Sequence, residues 1–365
     1  MTLHLYFARK FLMTILGVAA IFFALIGLLD LIEQLRKFDR DLVGFGDVVT
    51  LTLLNVPAGL YRILPLVFIL GTLALFLSLA RTSELVVTRA AGRSALRALM
   101  APVVVTLLLG FLCIGALNPI VAATSTQYET RASKLVSGES SVLSVAKDGL
   151  WLRQGGAGGQ TVIAAERSNL DGTRLINVTF LNFASDGTPL GRIEAVEAEL
   201  TDGRWALSQA KLWDLATQDN PEAASETFET FEVLTDLTRD RIQDSFGTPS
   251  AIPIWELPGF IADLEASGFS ASQHRVWFHM ELALPLLLVA MVLIGAGFTM
   301  RHTRFGRTGV MVLFAVMMGF GLFFIRSFAQ ILGENGQIPI ALAAWAPPIA
   351  AICLSLALLF HLEDG

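Results

Sequence analysis

Charge is scarce in this chain: Asp, Glu, Lys and Arg make up only 16% of its 365 residues, and no dense basic run occurs anywhere. A protein that follows a nucleic-acid backbone needs clustered cations, so that partner class is excluded, and the net charge of −6 reinforces the exclusion. Cysteine is rarer still. Cys113 and Cys353 each lie inside an apolar run, where a thiol acts as a small hydrophobe, so neither a disulfide nor a metal site is expected. The sequence has no G-x-x-x-x-G-K-[ST] phosphate loop, no G-x-S-x-G elbow and no H-E-x-x-H helix. Any nucleotide must therefore be hydrolysed by another chain. The five histidines, His4, His274, His279, His302 and His361, are scattered without triad spacing. No cofactor, catalytic residue or metal ligand is assigned.

Apolar residues are what the chain has in excess, at 54% with a mean hydropathy of +0.62, which places it in a bilayer. A span needs about 20 apolar residues. Such runs fall at 11–31, 57–80, 99–122, 276–299, 308–330 and 338–360, which predicts six transmembrane helices in two groups of three. The first run is too long for a signal-peptide core and is followed by Glu33 and Gln34 rather than small residues, so it is expected to stay attached and span. Pro57, Pro65 and Pro285 predict kinks.

Short-loop basic charge sets the expected orientation. Arg9 and Lys10 precede the first span, Arg81, Arg89, Arg93 and Arg97 separate the second and third, and Arg301, Arg304 and Arg307 separate the fourth and fifth. These loops read as cytoplasmic, so both termini face the cytosol and the central segment faces outward.

That segment, 123–275, is β-prone, with Asp148-Gly149, Asp171-Gly172, Asp186-Gly187 and Asp202-Gly203 as turns. Within 175–183, Ile176, Val178 and Phe180 are expected to share one buried face at period two. Phe228 to Leu234 predicts a further strand with Phe228 or Phe231 inward. The fold class is a membrane α-helical bundle plus an all-β, jellyroll-like extracytoplasmic domain. Its domains are 1–122, 123–275 and 276–365. Leu257, Phe260, Ile261 and Leu264 recur at helical spacing, predicting a short amphipathic helix over 257–267 at the membrane surface. Trp151, Trp205 and Trp213 are core or edge residues by default, with an acyl-chain groove as the alternative; Trp205 is assigned to the core.

Two groups of residues could carry function. Residues 82–92 form a short helix between two spans, capped by Thr82 or Ser83 and ending at Gly92, with Glu84, Leu85, Thr88 and Arg89 on its sides. It can dock in a cytosolic partner, or lie at the interface held by its arginines. The second group is set by depth: Asp30, Glu33, Arg62, Glu281 and Arg326 all fall near the outer leaflet at ~1.5 Å per residue. Together with Arg36 and Lys37 they can line a cavity for a phosphorylated amphiphile. They can equally snorkel or pair with each other, as Arg62 would with Asp30 or Glu281.

At Ser83-Glu84-Leu85-Val86-Val87, Ala90-Ala91-Gly92, Glu33-Gln34-Leu35-Arg36-Lys37 and Gly149-Leu150-Trp151, the chain resembles the LptF/LptG permease family of the lipopolysaccharide transporter, and is closer in wording to LptG-like members. The resemblance runs along nearly the whole chain. It implies an LptF-like permease partner, a pair of LptB-like ATPases, the single-span LptC-like protein with its periplasmic jellyroll, and residence in the inner membrane of a Gram-negative bacterium. It also implies that Ser83, Glu84, Leu85, Arg89 and Gly92 belong to the ATPase-coupling helix, and that Arg36 and Lys37 face lipopolysaccharide phosphates among membrane lipids. Asp30 and Glu281 depart from the pattern, since Asp30 stands where some LptG-like chains carry a basic residue. Two other classes of function compete: an envelope-lipid enzyme using Asp30, Glu281 or His279 as acid or base, and a scaffold that relays ATPase motion.

Overall fold

The computed structural model describes residues 2–37, 44–84, 87, 90, 94–137, 144–146, 149–156, 159–169, 172–184, 186–201, 203–216, 220–235, 237–238, 242, 248–266, 270–300 and 308–364. They form two compact units: Met1–Val136 with Ser250–Trp255 and Ser272–Gly365, and Ser137–Pro249 with Glu256–Ala271.

The first unit is helical. Its opening helix, α1 (Thr2–Lys37), is unbroken over 36 residues, about 54 Å at 1.5 Å per residue, and so exceeds the ~30 Å hydrocarbon thickness. The next span is two helices, α2 (Phe45–Arg62) and α3 (Leu64–Arg81), joined at Ile63, where Pro65 stands in the first turn of α3 and removes a donor. A Cβ on Gly71 would lie 2.4 Å from Ile15 and one on Gly59 would lie 3.0 Å from Ile26. The α2–α3 pair therefore runs antiparallel along α1 at close range. The third span is α4 (Ala95–Leu112), a π-helical turn (Cys113–Leu117) and α5 (Asn118–Ser137).

The second half opens with α7 (Ser272–Leu282) and α8 (Leu284–Thr299), bent by 51° at Ala283, with Pro285 in the first turn of α8. α9 (Thr308–Glu334) and α10 (Ile340–Asp364) complete the bundle. Among the described residues five helices are long and apolar enough to cross a membrane, or six if the bent α7–α8 pair counts as one span. α8 is apolar all round and almost wholly buried, the pattern of a central helix. Gly110 of α4 admits it, because a Cβ there would stand 2.7 Å from the Pro285 backbone.

The second unit is a seven-stranded antiparallel meander, β1 (Ser144–Ala146), β2 (Gly149–Gly156), β3 (Gly159–Ser168), β4 (Arg174–Ala184), β5 (Pro189–Thr201), β6 (Arg204–Asp214) and β7 (Glu226–Leu234), in spatial order β1 to β7. Gly172, Gly187 and Gly203, each in a connection between strands, take positive φ, which is why the Asp-Gly turns are placed there. One face carries the core: Leu152, Ile163, Val178, Phe180, Ile193 and the fully buried Trp205. Trp151 is exposed.

Three expectations need correcting. The inward face of β4 is Leu175, Val178 and Phe180, while Ile176 is exposed. Asn177 sits at φ 51 and its neighbours skip a register position, so the period-two alternation slips by one there. Gln209, at φ 53, does the same to β6. The amphipathic helix, here α6 (Leu257–Ala266), does not reserve its apolar side for a membrane surface: Leu264 is fully buried in the sheet core, with Phe260 and Ile261 packed against it. Lastly, helix α5 continues to Ser137 and the sheet unit begins there rather than at 123, because the end of an apolar run is not the end of a helix.

Candidate functional site

Four polar groupings are set into the helical unit. The first lies at the C-terminal end of α1. Arg36 and Lys37 are exposed in its last turn, as is Glu33, and basic side chains there complement the helix dipole. Just inside them Asp30 is 7% exposed and Gln34 is 2% exposed. Asn55 Nδ2 donates to Asp30 Oδ1 at 2.6 Å, and Gln34 Nε2 donates to the same oxygen at 3.5 Å and to the Tyr128 hydroxyl at 2.8 Å. Asp30 therefore pairs with neither Arg62 nor Arg326; its partners are amides.

The second grouping surrounds Glu281, which is 2% exposed. The Tyr61 hydroxyl donates to Glu281 Oε2, and Asn118 Nδ2 donates to the same atom at 3.1 Å. Asn118 Oδ1 in turn accepts the Ile254 backbone N–H at 3.0 Å. Arg326, half-buried on α9, acts on Glu281 through a Coulombic interaction rather than a hydrogen bond. This carboxylate clips together the bend in α7–α8, the π-turn end of the third span, the C-terminal turn of α2 and residues 250–255. It is not exposed to a ligand.

Arg62 forms the third. One residue from the buried Tyr61, it is exposed on a different side of α2 and lines an apolar cleft of about 110 Å³ with Ile63, Leu66, Ile69, Gly319, Phe320 and Phe323. A cationic mouth over an apolar slot suits an anionic headgroup with its acyl chain below.

The fourth grouping is at the other end of α1. Lys10 Nζ donates to Glu84 Oε1 at 2.9 Å and to Oε2 at 3.1 Å, the Tyr6 hydroxyl donates to Glu84 Oε2 at 2.9 Å, and the Thr82 hydroxyl donates to Oε1 at 2.9 Å. The Lys10 bond, with the other donors, holds the Glu84 carboxyl below its ordinary range. Thr82 ends α3 and Ser83 turns the chain at φ 59. Leu85, Arg89 and Gly92 lie outside the described residues.

Sequence reasoning named the charges and missed their partners. Lys10 was read only as an orientation signal, and Tyr6, Asn55, Tyr61, Asn118 and Tyr128 were not singled out. The available signal was a polar residue inside or beside each apolar run. The acid and base candidates of the enzymatic reading sit in separate networks: Asp30 on Asn55, Glu281 on Tyr61, and His279 accepting from Trp345 Nε1 at 3.4 Å.

The chain matches the family model for the lipopolysaccharide export system permease LptF/LptG over residues 5–361. It is 25% identical over 359 residues to the lipopolysaccharide export system permease protein LptG of Haemophilus influenzae, covering 97% of this chain and 94% of that one. It is 26% identical over 362 residues to the LptG protein of Escherichia coli strain K12, with the same coverage. A match spanning both units and every helix described above leaves one assignment: this multi-pass membrane protein belongs to the LptF/LptG family of lipopolysaccharide export permeases.

Proposed function

We propose that the chain is the LptG-like half of an ABC-type lipopolysaccharide exporter of the bacterial inner membrane. It pairs with an LptF-like permease, takes its work from a cytosolic LptB-like ATPase dimer, and passes lipid through its β-unit to an LptC-like bridge. Both termini are cytosolic and the β-unit is periplasmic, in keeping with the loop charges. The observation that carries this reading is α1 itself. One uninterrupted helix presents exposed Arg36 and Lys37 at one end, while Lys10, near the other, is hydrogen-bonded to Glu84 of the segment between the second and third spans. A push on that segment reaches a rod whose far tip carries two cations at the depth of lipid phosphates.

Arg36, Lys37 and Arg62 bind the phosphorylated lipid, with acyl chain in the cleft below Arg62, and Glu33 borders the site. Asp30, Glu281 and Arg326 serve the protein's own packing. Ser83, Glu84, Leu85, Arg89 and Gly92 form the element that engages the ATPase. The lipid-exposed faces of α1 and α9, with Leu25, Leu28, Leu29, Phe324 and Phe328 outward, suit a second permease chain.

Photocrosslinker placed at Arg36 and at Phe323, in the assembled complex reconstituted with lipopolysaccharide, tests the site. Both positions are expected to capture lipopolysaccharide, and ATP is expected to reduce capture at Arg36. Absence of lipid adducts at both positions would overturn the assignment.

A further inference from the structure

Three oxygens near the C-terminal end of α1 are buried and unsatisfied: Asp30 Oδ2, Gln34 Oε1 and Thr52 Oγ1. Each belongs to a side chain at least nine-tenths buried. Helix spacing and hydrogen bonds relate the residues that carry them. Asp30 and Gln34 are one turn apart on α1 and hydrogen-bonded, and Asn55, one turn from Thr52 on α2, donates to Asp30. Val48 and Leu51 of α2 pack on Leu31, Leu35 and Tyr128 beside them.

The Thr52 hydroxyl is out of pattern. Thr14, Thr50, Thr72, Thr106 and Thr299 each donate to the backbone carbonyl four residues back, which is the ordinary fate of a helical threonine. Thr52 Oγ1 has no hydrogen-bond partner among the described residues. The Gln34 amide is oriented with its nitrogen toward a carboxylate that only accepts, which leaves Oε1 as the atom without a donor. Asp30 has no ion pair among the described residues, its two donors both serve Oδ1, and Oδ2 receives nothing.

A carboxylate buried without a counter-charge costs several kcal/mol unless something compensates it. A single negative charge with neutral amide and hydroxyl oxygens around it matches a hard monovalent cation. A divalent ion would demand more carboxylates, and a transition metal would demand nitrogen or sulfur.

We propose that Asp30, Gln34 and Thr52 form a binding site for an alkali-metal cation at the junction of α1, α2 and α5. The ion neutralises Asp30 and locks α2 against the turn of α1 that carries Arg36 and Lys37. The proposal does not depend on the identity of the transported lipid.

The test is the thermal midpoint of the full chain in nanodiscs of uncharged lipid, at fixed pH and ionic strength, in LiCl, NaCl, KCl or N-methyl-D-glucamine chloride. One alkali cation is expected to raise the midpoint by about 2–4 °C at roughly ten times its Kd. Asp30→Asn should abolish the response, and Thr52→Val should shift the half-maximal concentration upward about tenfold. Direct binding of radioactive sodium or rubidium to the same samples reads the site independently of folding yield. Equal midpoints in all four salts, or an equal ion response in wild type and Thr52→Val, would overturn it. So would a midpoint that varies with pH and not with cation, which would assign the site to a proton or a water molecule.

Discussion

Replacing Glu84 separates a structural role from a coupling role, because its structural worth can be bounded. Its ion pair with Lys10 is partly exposed, with side-chain exposures of 26% for Lys10 and 31% for Glu84, which puts the pair at about 0.2–1 kcal/mol. The Tyr6 and Thr82 hydroxyls add partly solvated bonds worth about 0.5 kcal/mol each at most. Glu84→Ala is therefore expected to cost no more than about 2 kcal/mol, a fall in midpoint of a few degrees. Coupling is another matter. If Glu84 anchors the driven segment, ATP-dependent lipid release from proteoliposomes should fall tenfold or more, the equivalent of only about 1.4 kcal/mol at the transition state, while the partner's basal ATP hydrolysis persists. Lys10→Ala should bring the same small loss of stability and an intermediate loss of release, since Tyr6 and Thr82 still orient the carboxylate. Glu84→Arg should abolish release. Unchanged release by a folded Glu84→Ala complex would refute the reasoning. A fall in midpoint beyond about 10 °C would also refute it, by showing the bound on the structural role to be wrong.

Glu281→Ala should lower stability by about 3–5 kcal/mol in a chemical unfolding titration, because it strands the Tyr61 hydroxyl and the Asn118 amide inside the bundle. Glu281→Gln keeps an acceptor for them and should cost less than half as much; equal losses would mean the clip does not operate. Gly110→Ala should cost about 1–3 kcal/mol, since its Cβ meets the Pro285 backbone at 2.7 Å, whereas Gly321→Ala, with nothing within 4 Å, should be neutral or stabilising by up to about 1 kcal/mol. In the β-unit, Lys211 and then the Trp213 indole hold the Glu222 carboxyl below its reference value of 4.5. Because the folded value is the lower one, the stabilisation is complete above pH 4.5 and is lost as pH falls through the folded value. Trp213 fluorescence, read against Trp213→Phe, should change only below pH 4.5, and a transition above it would contradict the assignment.

Hydropathy alone was enough to place six spans around a β-rich insertion, because a bilayer imposes a length on every helix that crosses it. It could not locate where those helices stop. α5 runs past the apolar limit at 122 as far as Ser137, since past the apolar run helix propensity and packing, not lipid, decide. The strand alternation failed at Asn177 for a related reason: one residue in the left-handed region flips the phase of a strand, and nothing in the flanking pattern of Ile176 and Val178 announces it. α6 was read as a membrane-surface helix because an apolar stripe records that something covers it and not what.

The charged residues show the same limit more sharply. Counting along the spans puts Asp30, Arg62 and Glu281 at one depth, which suits either a shared lipid-binding cavity or mutual pairing. The fold pairs them otherwise: Asp30 takes the amides of Asn55 and Gln34, Glu281 takes Tyr61 and Asn118, and Arg62 is left outward over an apolar cleft. A helix assigns each residue an angle as well as a height. Adjacent Tyr61 and Arg62 necessarily point about 100° apart, so the residue that reaches inward to the buried carboxylate and the one that reaches outward cannot be the same. Burying the acids on neutral donors keeps them away from the exposed Arg62, and under the proposed function that separation lets a phosphorylated lipid reach the Arg62 cation without displacing Asp30 or Glu281.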